Sequence, residues 1–291
     1  MGGVAVIPII RLMRPHQWVK NLLLVGPLLF TPAAMNGPTV LLVALGVACF
    51  SILSSAIYAV NDVLDAERDR LHAVKCKRPV ASGAVSPGAA LVLAAVCAVA
   101  ALAGAAWLGR EFAVICVVYA VVNVAYSLKL KNIAILDVLC IAFSFLLRIY
   151  SGSVLIGFAT GPWIQLCTGL LALFLALAKR RDDLVREMAS VHRPSLAGYN
   201  KPFLDAALAV MLSAMLVSYV IYTTNQDVAE KLGTHNLHAT VPFVVAGILR
   251  YLQLIYVHER SGAPTVVLLT DWPLIVVVLG WLGTAVALIY G

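Results

Sequence analysis

Asn61, Asp62, Asp65 and Asp69, in the stretch NDVLDAERDR (61–70), are the residues whose types and spacing are best suited to chemistry. On a helix the i, i+4, i+8 spacing of Asn61, Asp65 and Asp69 puts them on one face, and Asp62 joins that stripe three residues before Asp65. Like charges so placed repel, and a cation is needed to offset them. Magnesium fits such a stripe. It is a hard ion that takes oxygen ligands, keeps several waters and commonly bridges carboxylates to the phosphates of a substrate. The plainer alternative is a solvated helix end paired with Arg68 and Arg70.

A second acidic segment, LAKRRDDLVREMASVHRP, sets Asp183 and Glu187 at i, i+4 beside Asp182. Lys179, Arg180, Arg181 and Arg186 are interleaved with these acids. Taken alone, this is equally a basic juxtamembrane run attracting anionic lipid, with the acids as its ion-pair partners. Two acidic segments, the first followed by the basic KCKRP run with Lys75, Lys77 and Arg78, favour one shared diphosphate site. Metal would take the pyrophosphate and Lys or Arg its remaining oxygens. Asp137 and Arg148 lie deeper, in an apolar stretch. Eleven residues on an α-helix is close to three turns, so they face the same way about 16 Å apart. An ionisable group inside a membrane usually lines a cavity or has a partner, and a cavity wall is the preferred reading over a purely structural pair.

The elements that position these groups are membrane spans. The 291-residue chain is 62% hydrophobic and 12% charged, with a mean hydropathy of +0.95. A soluble domain carries about 25% charged residues, so the composition describes an all-α integral membrane protein. Stretches of about 20 apolar residues recur near 18–34, 39–60, 87–108, 111–127, 132–155, 162–179, 203–224, 238–257 and 272–290, which predicts nine spans in a single domain, 1–291. Of the 21 Lys and Arg, 17 fall on the side of the N-terminus; Arg110 and Lys231 fall opposite, and Arg148 and Arg250 within spans. Positive loops stay inside. The N-terminus is therefore expected in the cytoplasm of a plasma-membrane protein, with functional loops near 61–86 and 180–202 on that side. The formal charge of +7 belongs to this asymmetry and implies no nucleic acid. Six scattered cysteines without CxxC spacing imply neither disulfides nor zinc, and the six histidines show no ligand spacing. A transporter needs polar routes to both faces and commonly shows repeated halves. One polar face and no convincing repeat favour a membrane enzyme over a transporter or a lipid-binding scaffold.

These motifs together resemble the UbiA-type membrane transferase superfamily. NDVLDAERD matches its N-D-x-x-D-x-x-x-D signature, KCKRPVASGAVS resembles the loop after the first aspartate motif, and Tyr126 with Lys129 in YSLKLK resembles its Tyr-x-x-Lys element. The stretches RPHQWVKN, YSLKLKNIAILDV, FLLRIYSG and LAKRRDDL are similar to an actinobacterial branch of that superfamily. Its members transfer phosphoribose from 5-phosphoribosyl pyrophosphate to decaprenyl phosphate, on the way to an arabinose donor for arabinogalactan. The resemblance implies Mg2+ on Asn61, Asp62, Asp65 and Asp69, donor chemistry assisted by Asp183, and candidate phosphate clamps at Lys20, Lys75, Lys77, Arg78, Lys129, Lys179, Arg180 and Arg181. The second motif departs from the usual Asp-x-x-x-Asp, with Glu187 as its last acid. The alternative within the superfamily is transfer from a prenyl diphosphate to an aromatic or glycerol-phosphate acceptor. The sequence leaves oligomeric state open.

Overall fold

The computed structural model describes residues 6–71, 73–159, 161–185, 194–259 and 264–291. It is all-helical over these residues. α1 (Val6–Met13), α2 (Gly26–Leu29), α3 (Gly37–Leu64) and α4 (Ala66–Arg70) lead into α5 (Pro87–Leu108), α6 (Arg110–Leu128), α7 (Leu136–Ile156) and α8 (Pro162–Val185). The rest of the chain forms α9 (Lys201–Thr224), α10 (Gln226–Leu232), α11 (Val241–Tyr256), α12 (Pro264–Thr270) and α13 (Trp272–Tyr290). Eight of the described helices are long and apolar enough to cross a membrane: α3, α5, α6, α7, α8, α9, α13, and α11 with its leading turn.

Local sequence fixes where several of these begin. Asn36, Ser86, Asn200 and Asp271 each accept a hydrogen bond from the backbone N–H three residues on, and a proline sits at the first or second helical position behind each cap. A polar cap satisfies an orphan donor, and proline costs nothing where no N–H is needed. α13 shows what fills the space between: its mean hydropathy is 2.2 and only 11% of its apolar window is buried. A helix apolar all round and this exposed within its own fold is made for lipid.

The expected span at 18–34 is built differently. Pro15–Val25 is a 3-10 helix, α2 is a single turn, and Pro32–Ala34 is another 3-10 turn. Pro15, Pro27 and Pro32 each withhold an N–H that a continuous α-helix needs. The 3-10 segment is nevertheless a packed element, with Asn21 and Leu24 buried against α3 and α7. Gly152 of α7 permits this: a β-carbon there would overlap the Leu24 carbonyl.

Two cores flank the site. One joins Leu24 to Phe50, Leu53, Phe112 and Leu147 of α3, α6 and α7; the other joins Phe174, Leu204, Leu208 and Ile255 of α8, α9 and α11. Between them opens a cavity of 2080 Å³.

Candidate active site

The acidic stripe stays on one side because the helix scarcely breaks. α3 ends at Leu64, Asp65 keeps a right-handed conformation, and α4 carries the helix on to Arg70. Asn61, Asp62, Asp65 and Asp69 all line the cavity. Each aspartate meets a cation. Asp62, 1% exposed, is ion-paired with Arg14 and lies 3.5 Å from Arg78; Arg78 donates to Asp69 at 2.6 Å; Lys131 donates to Asp65 at 2.6 Å. Arg14 reaches Asp62 from a left-handed backbone conformation (φ 54°) and stacks over the Tyr58 ring at 5.1 Å. A non-glycine residue held there persists only when its surroundings over-determine it, and the Asp62 pair with the Tyr58 stack does so.

One atom in this cluster is unsatisfied. Asp62 Oδ2 is buried without a hydrogen-bond partner. Among the described residues no three His, Cys, Asp or Glu side chains converge closely enough to hold a metal alone. Magnesium asks for less, usually one or two carboxylates with waters and substrate phosphates completing its shell. An orphaned carboxylate oxygen beside Asp65 and Asp69 in one cavity fits that requirement.

The second segment divides. Lys179, Asp182 and Asp183 at the end of α8 line the cavity, whereas Arg180 and Arg181 are absent from its wall. Arg180 is fully buried and donates to Asp137 at 2.5 Å, with Asp183 at 3.5 Å. Arg181 donates to Asp205 of α9 at 2.5 Å and stacks 4.5 Å over Tyr256 of α11. The expectation of phosphate clamps at Arg180 and Arg181, and of a cavity wall at Asp137, is therefore corrected: consecutive residues on a helix point about 100° apart, and only part of the segment can face the cavity. Glu187 lies outside the described residues.

Asp137 is instead the hub of a tie between α7, α8 and the turn before α9. Ser195 and Tyr199 donate to it at 3.1 and 2.7 Å, and the Ile135 N–H donates to the Tyr199 oxygen at 2.6 Å. Burial first, and the bond to Asp137 second, push the Tyr199 phenol up, so it remains a donor at neutral pH.

Lys20, Lys75, Lys77, Tyr126 and Arg148 line the cavity, as expected for substrate contacts, but Lys129 does not. It is exposed at the end of α6, and Lys131, two residues on, reaches Asp65 instead. Arg14 and Lys131 were missed as site residues. Each sits 48 or more residues from the aspartate it meets, and no local spacing reports such a meeting. The density of cations is felt at the rim: burial, then Arg14 and Lys20, lower the pKa of His16. Deeper in, the cavity walls become apolar, with Leu29, Ile164, Leu171, Phe243, Ile248 and Trp281 among them.

A cationic and carboxylate mouth over an apolar chamber suits a phosphorylated amphiphile. The UbiA prenyltransferase family profile matches residues 22–265. The chain belongs to the UbiA prenyltransferase family. It is 32% identical to the decaprenyl-phosphate phosphoribosyltransferase of Mycolicibacterium smegmatis, over 97% of this chain and 92% of that one. It is also 32% identical to the Corynebacterium glutamicum protein of the same name, over 97% and 86%. Among solved structures, a UbiA homolog from Archaeoglobus fulgidus bound to geranyl pyrophosphate (GPP) and Mg2+ superposes with a TM-score of 0.72 at 20% identity, covering 98% of this chain and all of that one. That likeness establishes the fold. As in that family, the long apolar helices make this a multi-pass membrane protein.

Proposed function

We propose that this protein transfers the 5-phosphoribosyl group from 5-phosphoribosyl pyrophosphate to decaprenyl phosphate, releasing pyrophosphate and forming decaprenylphosphoryl-5-phosphoribose. The observation that carries this reading is the near end-to-end similarity to decaprenyl-phosphate phosphoribosyltransferases. The cavity supports it, since it joins a phosphate-binding mouth to an apolar chamber for a polyprenyl tail.

In the reaction a phosphate oxygen of the lipid forms a bond to ribose C1 while the C1–O bond to pyrophosphate breaks, its electron pair leaving with the pyrophosphate. The attacking oxygen is already anionic near pH 7, so no general base is required. The protein's work is positioning and charge stabilisation. Asp62, Asp65 and Asp69, with Asn61, would hold Mg2+, which supplies positive charge to the departing pyrophosphate. Arg78 stands beside these carboxylates and, with Lys75 and Lys77 of the same cavity wall, would take the remaining pyrophosphate oxygens. Lys131 and Arg14, paired with Asp65 and Asp62 in this structure, would be released toward phosphate once those carboxylates turn to the metal. Asp182 and Asp183 face the same mouth from α8 and are the second acidic group available to the donor. Tyr126 lies on the adjoining wall. The concentration of Lys and Arg on this side supports a cytoplasmic mouth at the plasma membrane.

The test is a transfer assay on purified protein with magnesium and decaprenyl phosphate. Labelled 5-phosphoribosyl pyrophosphate is offered in one tube, and a prenyl diphosphate with aromatic acceptors in another. Label is expected in lipid from the first tube alone, and lost with chelator. Label from the second alone would reassign the donor within the family, and silence in both from folded protein would return a non-enzymatic reading.

A further inference from the structure

Below the carboxylate mouth is a second charged layer that the donor chemistry does not use. Arg148 of α7 is 3% exposed and lines the cavity. Its guanidinium donates to Asn21 Oδ1 at 2.8 Å, to the Ser144 carbonyl at 2.7 Å and to the Tyr119 hydroxyl at 2.8 Å. Asn21 is itself buried and oriented by a bond to Ser51. All of these partners are neutral. Lys20, next to Asn21, also lines the cavity, and its charged neighbours are Arg148, Lys179 and Arg14. Among the described residues no carboxylate lies within ion-pair distance of Lys20 or Arg148.

The depth of this layer follows from three elements. Ser51 precedes Asp62 by eleven residues on α3, and Arg148 follows Asp137 by eleven on α7, each about 16 Å of helix. Lys20 lies six residues past Arg14 in a 3-10 segment, about 12 Å. Two cations so held, half-buried or buried, with further cations near Lys20 and no carboxylate among the described residues at ion-pair distance of either, are costly unless an anion joins them. The anion must also tolerate what surrounds the layer: Phe145 and Ile149 flank Arg148 on α7, and Ile164 faces the same space from α8.

We propose that Lys20 and Arg148 form a separate seat for a phosphate monoester, and that its occupant is the phosphate of the polyprenyl acceptor. This rests on the transfer reaction proposed above and divides its two substrates between two layers. The diphosphate of the donor belongs at the Asp62–Asp69 mouth; the lipid phosphate belongs at Lys20 and Arg148, with its isoprenoid chain against the apolar wall. The same phosphate chemistry exists in the donor's 5-phosphate. The apolar border favours the lipid, because a ribose hydroxyl set next to Phe145, Ile149 and Ile164 would lose hydrogen bonds to water without replacement.

The test is kinetic and uses the full chain in detergent. Lys20→Met keeps the length of the stem and removes the charge, and the half-buried position tolerates it better than any change at the buried Arg148. The expected result is a rise of at least about ten-fold in KM for decaprenyl phosphate, with KM for 5-phosphoribosyl pyrophosphate moved by less than about two-fold. A rise confined to the donor's KM would assign the seat to the 5-phosphate and overturn the proposal, as would no change in either. A binding arm separates this failure from failure of the reaction itself. Quenching of tryptophan fluorescence compares decaprenyl phosphate with decaprenol on wild type and on Lys20→Met. If the wild type transfers nothing yet prefers the phosphate form, and Lys20→Met erases the preference, the seat stands and the reaction falls. If wild type transfers but Lys20→Met keeps the preference, the seat falls and the reaction stands.

Discussion

The two acidic segments both set Asp among Lys and Arg but put their cations to opposite uses. In Asn61–Arg78 the three aspartates face the cavity and are met by Arg78 from the same segment and by Arg14 and Lys131 from other parts of the chain, all three cations partly exposed. In Lys179–Asp183 the acids again face the cavity, but the local arginines turn inward to Asp137 and Asp205. The cations of the first set keep access to water even where, as at Asp62, the carboxylate is buried, so ligands can replace them. In the second, Arg180–Asp137 is dry and the buried Arg181 meets a part-exposed Asp205, and together these pairs hold α7, α8 and α9. Alternating charge in a sequence therefore does not say which cations are for the substrate.

Removing one partner of the dry set should have the largest effect. Arg180→Met leaves Asp137 buried and uncompensated, with an expected cost of about 3–5 kcal/mol and a marked fall in thermal midpoint in detergent. Adding Asp137→Asn to Arg180→Met removes both charges and should recover most of that loss. A protein of wild-type stability whose turnover alone suffers would move Arg180 into the site and erase the contrast between the segments.

Asp65 tests the wet set. Asp65→Asn should lower turnover by about 10²–10³, the scale for losing one charge-stabilising group. Its thermal midpoint should hardly move, because Lys131 keeps access to water. A stability loss as large as that of Arg180→Met would make Asp65 structural. A smaller effect is expected at its partner. Lys131→Met deletes a cation that competes for Asp65, so half-saturation by magnesium should fall by a few-fold, in line with about 0.2–1 kcal/mol for a partly exposed pair. A need for more magnesium would mean that Lys131 helps to hold the phosphates rather than shielding the carboxylate.

How much of this was legible depended on distance along the chain. The stripe of Asn61, Asp62, Asp65 and Asp69 was readable because helical spacing alone puts it on one face, and hydropathy revealed the eight regular spans for the same local reason. The segment before them was not. Its apolar length suggested a ninth α-helical span, but three prolines and the close approach at Gly152 made it a 3-10 strut whose Asn21 orients Arg148. Arg180 and Lys179 are adjacent in sequence yet face a salt bridge and a cavity, a choice made by the rotation of α8 against α7. Lys131 in place of Lys129 is a two-residue error of the same kind, since α6 ends at Leu128 and the turn after it decides which lysine swings toward Asp65.

The smallest effect belongs to an ion pair outside both segments, and it bounds what good geometry alone is worth. Arg250 of α11 grips Asp271, the cap of α13, with two bonds of 3.0 and 2.7 Å, and Asp271 also accepts from the Leu274 N–H. The bond from Arg250 is the main reason that the Asp271 carboxyl sits below its ordinary value. A carboxylate with a folded pKa below its unfolded value contributes stability that is present above the unfolded pKa, near about 3.9, and is lost as pH falls through the folded one. The thermal midpoint should therefore be indifferent to this pair from pH 7 to 5 and decline slightly further than that of Asp271→Asn below about pH 4. Both groups are open to screening, so the difference should be small and should shrink with salt. A large, salt-resistant difference would put this pair with Arg180 and Asp137 among the dry ties, and burial would then no longer be what separates the structural pairs from the exchangeable ones.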